Sequence, residues 1–322
     1  MGVALSRRLA LMATLALPLA MSVPAPKAVA QEGPGVLMVL WRGITEPEQA
    51  FKKRLEEKGV KVTYKEITGD QDRAKMAEAM RNVEPDIAAG KFKVAYSFGS
   101  TATQVAQSVI AERVPIVFNI VFDPVGVKLV DSLQKPGKNT TGVTNGVTID
   151  AQFDAFQKLT PIKKLVVLFN AREPNSNIIE KEVTTWAAKN KVEVVSHRVA
   201  PGDTSLDTFL ADVKDGKIAG DALYAGADSF LGSKAADIQA AVGDKIKLLG
   251  GTQTFVLRGW LAAFTPTVQD MGATAADQVV RVLNGEKAGD LPVILPTPKM
   301  IVSQAAADKH GVKVPAGAVV EK

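Results

Sequence analysis

The sequence predicts an α/β protein built as two open, parallel-sheet domains. Three observations carry this. From residue 36 onward, short apolar runs alternate with helical patterns at the spacing of βαβ units. The alternation is interrupted by a punctuated stretch after residue 122 and restarts at residue 165. The chain also has 322 residues, 46% of them hydrophobic, which is enough for more than one average core.

The first half reads in order as follows. Residues 36–41 form an apolar run that ends in Trp41-Arg42-Gly43, and they make the first strand. Thr45 then suits an N-cap, Pro47 the first turn, and Glu48 the capping-box position of a helix whose buried stripe is Phe51 and Leu55. Lys58-Gly59 ends it. Residues 61–67 alternate as a second strand. Asp72 caps a helix with Ala74, Ala77 and Met80 inward, ending before Pro85. Residues 94–98 are the third strand, and Gly99-Ser100-Thr101 turns into a helix over 102–110. Residues 115–122 are the fourth strand, stopped by Asp123-Pro124. Val127, Leu129, Val130 and Leu133 suggest a short helix before the turn signal Lys135-Pro136-Gly137-Lys138-Asn139. Residues 141–147 form another short strand, and Ile149, Phe153, Phe156 and Leu159 then recur at helical spacing. The chain leaves one domain here and enters the next, so a cleft suited to a small ligand sits beside this stretch.

The second half repeats the pattern. Strands are expected at 165–170, 192–199, 222–225 and 247–250. Asn175 or Ser176 caps the helix carrying Ile178, Ile179, Val183 and Trp186. Residues 206–213 are helical, and a further helix starts near Ser233. Beyond these, 261–265 and 291–295 look strand-like around a helix over 271–283, and 299–302 with 305–310 adds one strand and one helix.

Composition excludes several chemistries. There is no Cys, so disulfides, thiolate metal sites and Cys nucleophiles are ruled out. The two His, His197 and His310, have no Ser or acid at a catalytic spacing. No catalytic constellation, metal site or cofactor motif is expected: no GxGxxG opens the first helix, and no Gly-Lys-Ser/Thr follows Gly99. Residues 1–30 read as a signal peptide. Arg7-Arg8 is the basic segment, residues 9–21 the apolar one, and Ala28-Val29-Ala30 the cleavage site, which implies the periplasm. The formal charge is +5; without Arg7, Arg8 and Lys27 it is 5 − 3 = +2. Charges of both signs are interspersed, which argues against nucleic acid.

In open parallel sheets, ligands bind beyond the carboxyl ends of the strands. The polar residues there are the candidates. Ser100 and Thr101 suit an anion site at a helix N-terminus or a plain N-cap. Trp41 can stack on a ligand, and Arg42 can pair with a ligand carboxylate or, more simply, a surface acid. Asn170, Glu173 and Asn175 crowd one loop with more polar groups than capping needs. Asp228 suits a ligand ammonium or the N-cap of the next helix.

Several motifs resemble the bacterial ABC-transporter substrate-binding protein family whose members include tryptophan- and other aromatic amino-acid-binding proteins. They are Pro115-Ile116-Val117-Phe118, Asp123-Pro124-Val125-Gly126, and the run from Leu129-Val130 through Ser132-Leu133, Pro136-Gly137 and Asn139 to Thr141-Gly142-Val143. Asn170, Glu173-Pro174-Asn175-Ser176 and the ending Ala306, Gly311-Val312, Val314-Pro315 are similar too. The resemblance implies a type I periplasmic binding protein: two Rossmann-like domains joined by a three-strand hinge and closing on a ligand. The implied lobes are 31–145 plus 262–296 and 146–261 plus 297–322. The implied ligand-facing residues are Ser100, Thr101, Asn170, Glu173 and Asn175, with Asp228 as amino-group partner. The first loop, Trp41-Arg42-Gly43, is a variant of the family's. The implied function is a monomeric solute receptor for an ABC permease that takes an amino acid or related small carboxylate. A ligand sensor for a membrane receptor, or an exported enzyme, is the alternative.

Overall fold

The computed structural model describes residues 1–2 and 33–322. All but the first two residues of the expected signal peptide, and its cleavage point after Ala30, lie outside the described residues. The first sheet-forming stretch contains β1 (Gly35–Leu40), α1 (Glu46–Glu57), β2 (Thr63–Thr68), α2 (Arg73–Ala88), β3 (Phe92–Phe98), α3 (Gly99–Ile110), β4 (Ile116–Val121) and β5 (Thr140–Thr144). The second contains α4 (Ile149–Leu159), β6 (Lys164–Asn170), α5 (Pro174–Asn190), β7 (Glu193–Val199), α6 (Ser205–Lys214), β8 (Ala222–Ala225), α7 (Ser229–Ser233), α8 (Ala235–Val242), β9 (Lys247–Gly250), α9 (Gln253–Val256) and β10 (Ala262–Thr265). Then come α10 (Val268–Leu283), β11 (Lys299–Ser303), α11 (Gln304–His310) and β12 (Val319–Glu321).

The strands form two sheets, β2-β1-β3-β4-β5 and β12-β11-β10-β9-β8-β6-β7. The first is parallel throughout; in the second, β11 pairs antiparallel with β10 and parallel with β12. Val36, Leu37, Met38, Val39 and Leu40 are all buried, because β1 is central and helices cover both faces. Each such side chain contributes roughly 1.5–3 kcal/mol by leaving water. The edge strands β2 and β7 instead alternate exposed and half-buried residues. In the second lobe, Phe153 of α4 stacks on Trp186 of α5 at 4.4 Å and lies 4.9 Å from Tyr224 of β8.

The chain crosses between lobes three times, at residues 145–148, 266–267 and 295–298. Each crossing is tied down. Gln152 donates to the Val147 carbonyl (3.0 Å) and accepts from the Tyr224 hydroxyl (2.8 Å). The Val268 amide donates to Gln253 Oε1 at 2.7 Å. The Thr144 amide donates to the Ile294 carbonyl at 2.9 Å. Helix α10 returns to pack on α1, and Gly272 permits this contact: a Cβ there would sit 2.5 Å from the Pro47 carbonyl oxygen.

Five local expectations are corrected. Helix α2 does not end before Pro85 but runs through it to Ala88, and Met76, not Ala74, is buried. The return to the first lobe does not begin at residue 262, because Ala262–Thr265 pairs with β9 and β11 in the second sheet. The apolar positions 127–133 form turns, not a helix; Leu129 and Val130 plug a small core with Phe118 and Val121. Glu173, rather than Asn175 or Ser176, is the N-cap of α5, since Pro174 already occupies the first helical position. Residues 291–295 make a single bridge, Ile294 to Val143, in place of a strand.

Candidate ligand-binding cleft

The carboxyl ends of β1, β3 and β4 meet those of β6, β8 and β9 across a cleft of about 610 Å3, counting its open mouth. Seven of the eight residues singled out from the sequence line it: Trp41, Arg42, Ser100, Thr101, Glu173, Asn175 and Asp228. Asn170 does not. Its side chain turns into the β6–α5 loop, where Oδ1 accepts from the Arg172 amide (3.0 Å), and its backbone N–H donates to Ser176 Oγ (3.0 Å). Polar crowding in that loop therefore overstates the site: part of it builds the turn.

The first-lobe wall is aromatic and basic. Trp41 is buried; its indole Nε1 has no partner at hydrogen-bond distance but lies near enough to Glu173 to help hold that carboxyl's pKa down. Arg42 is half-buried, yet its Nε is sealed from solvent and unpartnered. Its guanidinium lies over the Phe98 ring at 4.6 Å. Its one hydrogen bond among the described residues is a long one, Nη2 to Thr45 Oγ1 at 3.4 Å. The surface-acid reading of Arg42 is thus replaced: it faces the cleft. Burial lowers its pKa from the ordinary value, and Glu48, Glu46 and Glu173 work against that shift.

Behind Arg42 stands a buried polar network. Glu48 accepts from the Thr45 amide (2.9 Å) and hydroxyl (2.8 Å) and from the Tyr96 hydroxyl (2.9 Å). Tyr96 in turn accepts from Asn119 Nδ2 at 3.1 Å. The capping box predicted from Thr45 and Glu48 is present, and it doubles as the support of this wall. Burial raises the Glu48 pKa, while these hydrogen bonds and Arg42 hold it down.

Ser100 and Thr101 sit buried in the first turn of α3, whose N-cap Phe98 offers no side-chain acceptor. Gly99 at the start has φ 79°, a left-handed conformation that glycine adopts without strain. Ile120 has φ 55°, which a β-branched residue rarely adopts. A bulge in β4 between Asn119 and Val121 puts it there and turns it into the cleft wall. Such strain is of order 1–3 kcal/mol and concentrates at ligand-facing positions.

The second-lobe wall is acidic. Glu173 accepts from the amides of Ser229 (3.1 Å) and Phe230 (3.3 Å) at the start of α7. Asp228 caps the same helix, with Oδ1 accepting from the Leu231 amide at 2.8 Å. Its Oδ2 is buried with no partner at hydrogen-bond distance, although the Ser176 hydroxyl lies near enough to help hold its pKa down. The capping and ligand-facing readings of Asp228 are therefore compatible, one oxygen for each. Burial, then the neighbouring Glu173 charge, raises the Asp228 pKa well above the usual carboxylate value. Burial raises Glu173 too, opposed by the two amides, by Arg42 and by the Trp41 indole. Asn175 is held by a hydrogen bond from Nδ2 to the Ala227 carbonyl.

Met271, Val268 and Thr254 also line the cleft and carry no sequence signal. They arrive from α9 and the second crossing. Trp260 and Trp186 are core residues, and Trp260 Nε1 donates to the Ala235 carbonyl at 2.9 Å. Among the described residues, no group of three or more His, Cys, Asp or Glu is placed to hold a metal ion, and no helix is long and apolar enough to cross a membrane.

The family model described as "ABC transporter substrate binding protein" matches residues 37–321. The chain belongs to that family. A curated relative, the tyrosine-binding protein of Clostridioides difficile (strain R20291), is 28% identical over 254 residues, covering 76% of this chain and 70% of its own. A conserved domain protein from Vibrio cholerae O1 biovar El Tor has a solved structure with TM-score 0.77 and 22% identity, covering 90% of this chain and 99% of that one. An ABC domain from Streptococcus pneumoniae in complex with L-Trp has TM-score 0.75 and 22% identity, covering 90% and 100%. These structures support the type I periplasmic-binding-protein fold read above. The family is one of substrate-binding proteins.

Proposed function

We propose that this protein binds a small zwitterionic ligand, with aromatic amino acids as the leading class, and delivers it to an ABC permease from the periplasm. The carrying observation is the pairing of two buried carboxylates, Glu173 and Asp228, with an aromatic wall of Trp41, Phe98 and Phe122 across the same cleft. A ligand ammonium relieves the repulsion between the carboxylates and satisfies Asp228 Oδ2. The rings accept a flat apolar body. The names of the relatives, one tyrosine-binding and one holding L-Trp, agree with that chemistry. Trp41, Arg42, Ser100, Thr101, Glu173, Asn175 and Asp228 make the contacts. The protein closes on the ligand and docks on the permease, with no chemistry done on the ligand.

A thermal-shift screen of amino acids, small carboxylates and nucleosides tests this. A ligand at 100 times its Kd stabilises by about 2.7 kcal/mol, a shift easily read. Aromatic amino acids should give the largest shifts. A response confined to nucleosides, or to sugars added as controls, would overturn the ligand class.

A further inference from the structure

We infer that Arg42 is a specificity-determining residue that reads a carboxylate on the ligand, and that Glu48 is its positioning residue. The inference deepens the reading above, on which its ligand class rests. Three observations converge. Arg42 offers a buried Nε with no partner. An unmet donor in this wall calls for an acceptor from outside the fold, since it costs about 1–3 kcal/mol while unpaired. The guanidinium is packed rather than loose, lying over Phe98, the residue that immediately precedes the first turn of α3. Arg42 and the Ser100 and Thr101 turn thus converge on one end of the cleft. Across from it, Gly232 has no side chain, and even a Cβ there would come within 3.6 Å of Nη1. The guanidinium therefore spans the cleft to the second-lobe wall at α7 and meets whatever lies between the lobes.

Glu48 fixes this arrangement without touching the cleft, which it does not line. Its two carboxylate oxygens hold Thr45 and Tyr96, and Thr45 holds Arg42. The acid wall supplies the complement: Asp228 and Glu173 face the first lobe and take the ammonium end. A zwitterion then has one orientation, carboxylate to the first lobe and ammonium to the second.

The test measures Kd by calorimetry for three probe groups on the full mature chain. These are L-tryptophan and L-tyrosine, the amines tryptamine and tyramine, and the acids 3-indolepropionate and 4-hydroxyphenylpropionate. In the wild type, L-tryptophan should bind at least about tenfold tighter than tryptamine, as expected for a charge-assisted hydrogen bond. Arg42→Gln should collapse that ratio to about one, and Arg42→Lys should restore part of it. Glu48→Gln should narrow the ratio by a smaller factor, a change that mere loss of stability would not cause; melting temperatures of all variants are read alongside. An unchanged ratio in Arg42→Gln, or a wild type that binds only the amines or none of the carboxylates, overturns the inference. If the acids bind and lose affinity in Arg42→Gln while the amino acids do not bind, the inference stands and the amino-acid reading falls.

Discussion

The first-lobe wall of the cleft leaves hydrogen-bond donors unpaired, whereas the second-lobe wall has most of its carboxylate oxygens already engaged. Arg42 Nε has no partner and Trp41 Nε1 has none at hydrogen-bond distance; Glu173 and one oxygen of Asp228 rest on amides at the start of α7. Both walls come from the same device, a strand end that turns into a helix. They differ in how burial is compensated. A carboxylate can rest on backbone N–H groups that any helix start supplies. A buried arginine needs acceptors, which a helix start does not supply, and is held by side chains, here Thr45 and, behind it, Glu48. The comparison teaches that the acidic wall, Asp228 Oδ2 apart, is held by backbone amides, while the basic wall depends on a side-chain network.

The strongest break of this comparison is at Asp228. Asp228→Asn keeps an acceptor for the Leu231 amide, so α7 should remain capped and the fold intact. It removes the charge that meets a ligand ammonium. Breaking one partner of a buried charge pair costs roughly 3–5 kcal/mol, so affinity for an amine-bearing ligand should fall at least about 100-fold by calorimetry. An unchanged Kd removes Asp228 from the site.

The same wall predicts a pH dependence. The pKa values of Glu173 and Asp228 are raised in the fold, so the empty protein holds their protons more tightly than the unfolded chain does. Their contribution is therefore least unfavourable at low pH, and stability is lost as pH rises from the ordinary carboxylate range through the raised values. A bound ammonium reverses the preference and expels protons. Affinity should thus fall as pH is lowered through that window. Binding heats in two buffers of different ionisation enthalpy should reveal proton release, and the Glu173→Gln, Asp228→Asn double variant should lack it. Equal heats in both buffers would contradict the paired-carboxylate account.

Much of this cleft was legible in the sequence, and its gaps have physical causes. Trp41, Ser100 and Asp228 were readable because parallel strands all deliver their carboxyl ends to one side. Asn170 misled because a polar loop can satisfy itself, and nothing in the residue types distinguishes that from readiness for a ligand. Met271 and Val268 were unreadable because a crossing back to the first lobe brings them, and crossings follow from tertiary packing. Strand β10 has four residues, too few for a period to declare which sheet it joins. The left-handed Ile120 is equally silent: its bulge comes from pairing with β5.

The network behind the basic wall can be cut without entering the cleft. Tyr96→Phe removes the hydroxyl that donates to Glu48 and accepts from Asn119, all three residues being fully buried. Leaving those partners unmet should destabilise the protein by about 1–3 kcal/mol, read as a lowered melting temperature. On the acidic side the corresponding donors are backbone amides of α7, which only a proline substitution removes. A Tyr96→Phe protein as stable as wild type would mean that the first wall is not held by this network.

The smallest effect is expected where the two lobes meet outside the cleft. Arg258, between α9 and β10, pairs with Glu46 at the start of α1 at 3.1 Å, so the contact spans the lobes. It can form only when they are together, and it therefore favours the closed arrangement over any open one. Its side chains are 42% and 29% exposed, so solvent and salt screen it, and about 0.2–1 kcal/mol is the appropriate scale. Arg258→Ala should weaken ligand binding by no more than about fivefold, mainly through faster dissociation, and the deficit should shrink as salt is raised. Stopped-flow dissociation rates at low and high ionic strength read this directly. A loss as large as that of Asp228→Asn would mean that closure, rather than the chemistry of the two walls, sets affinity.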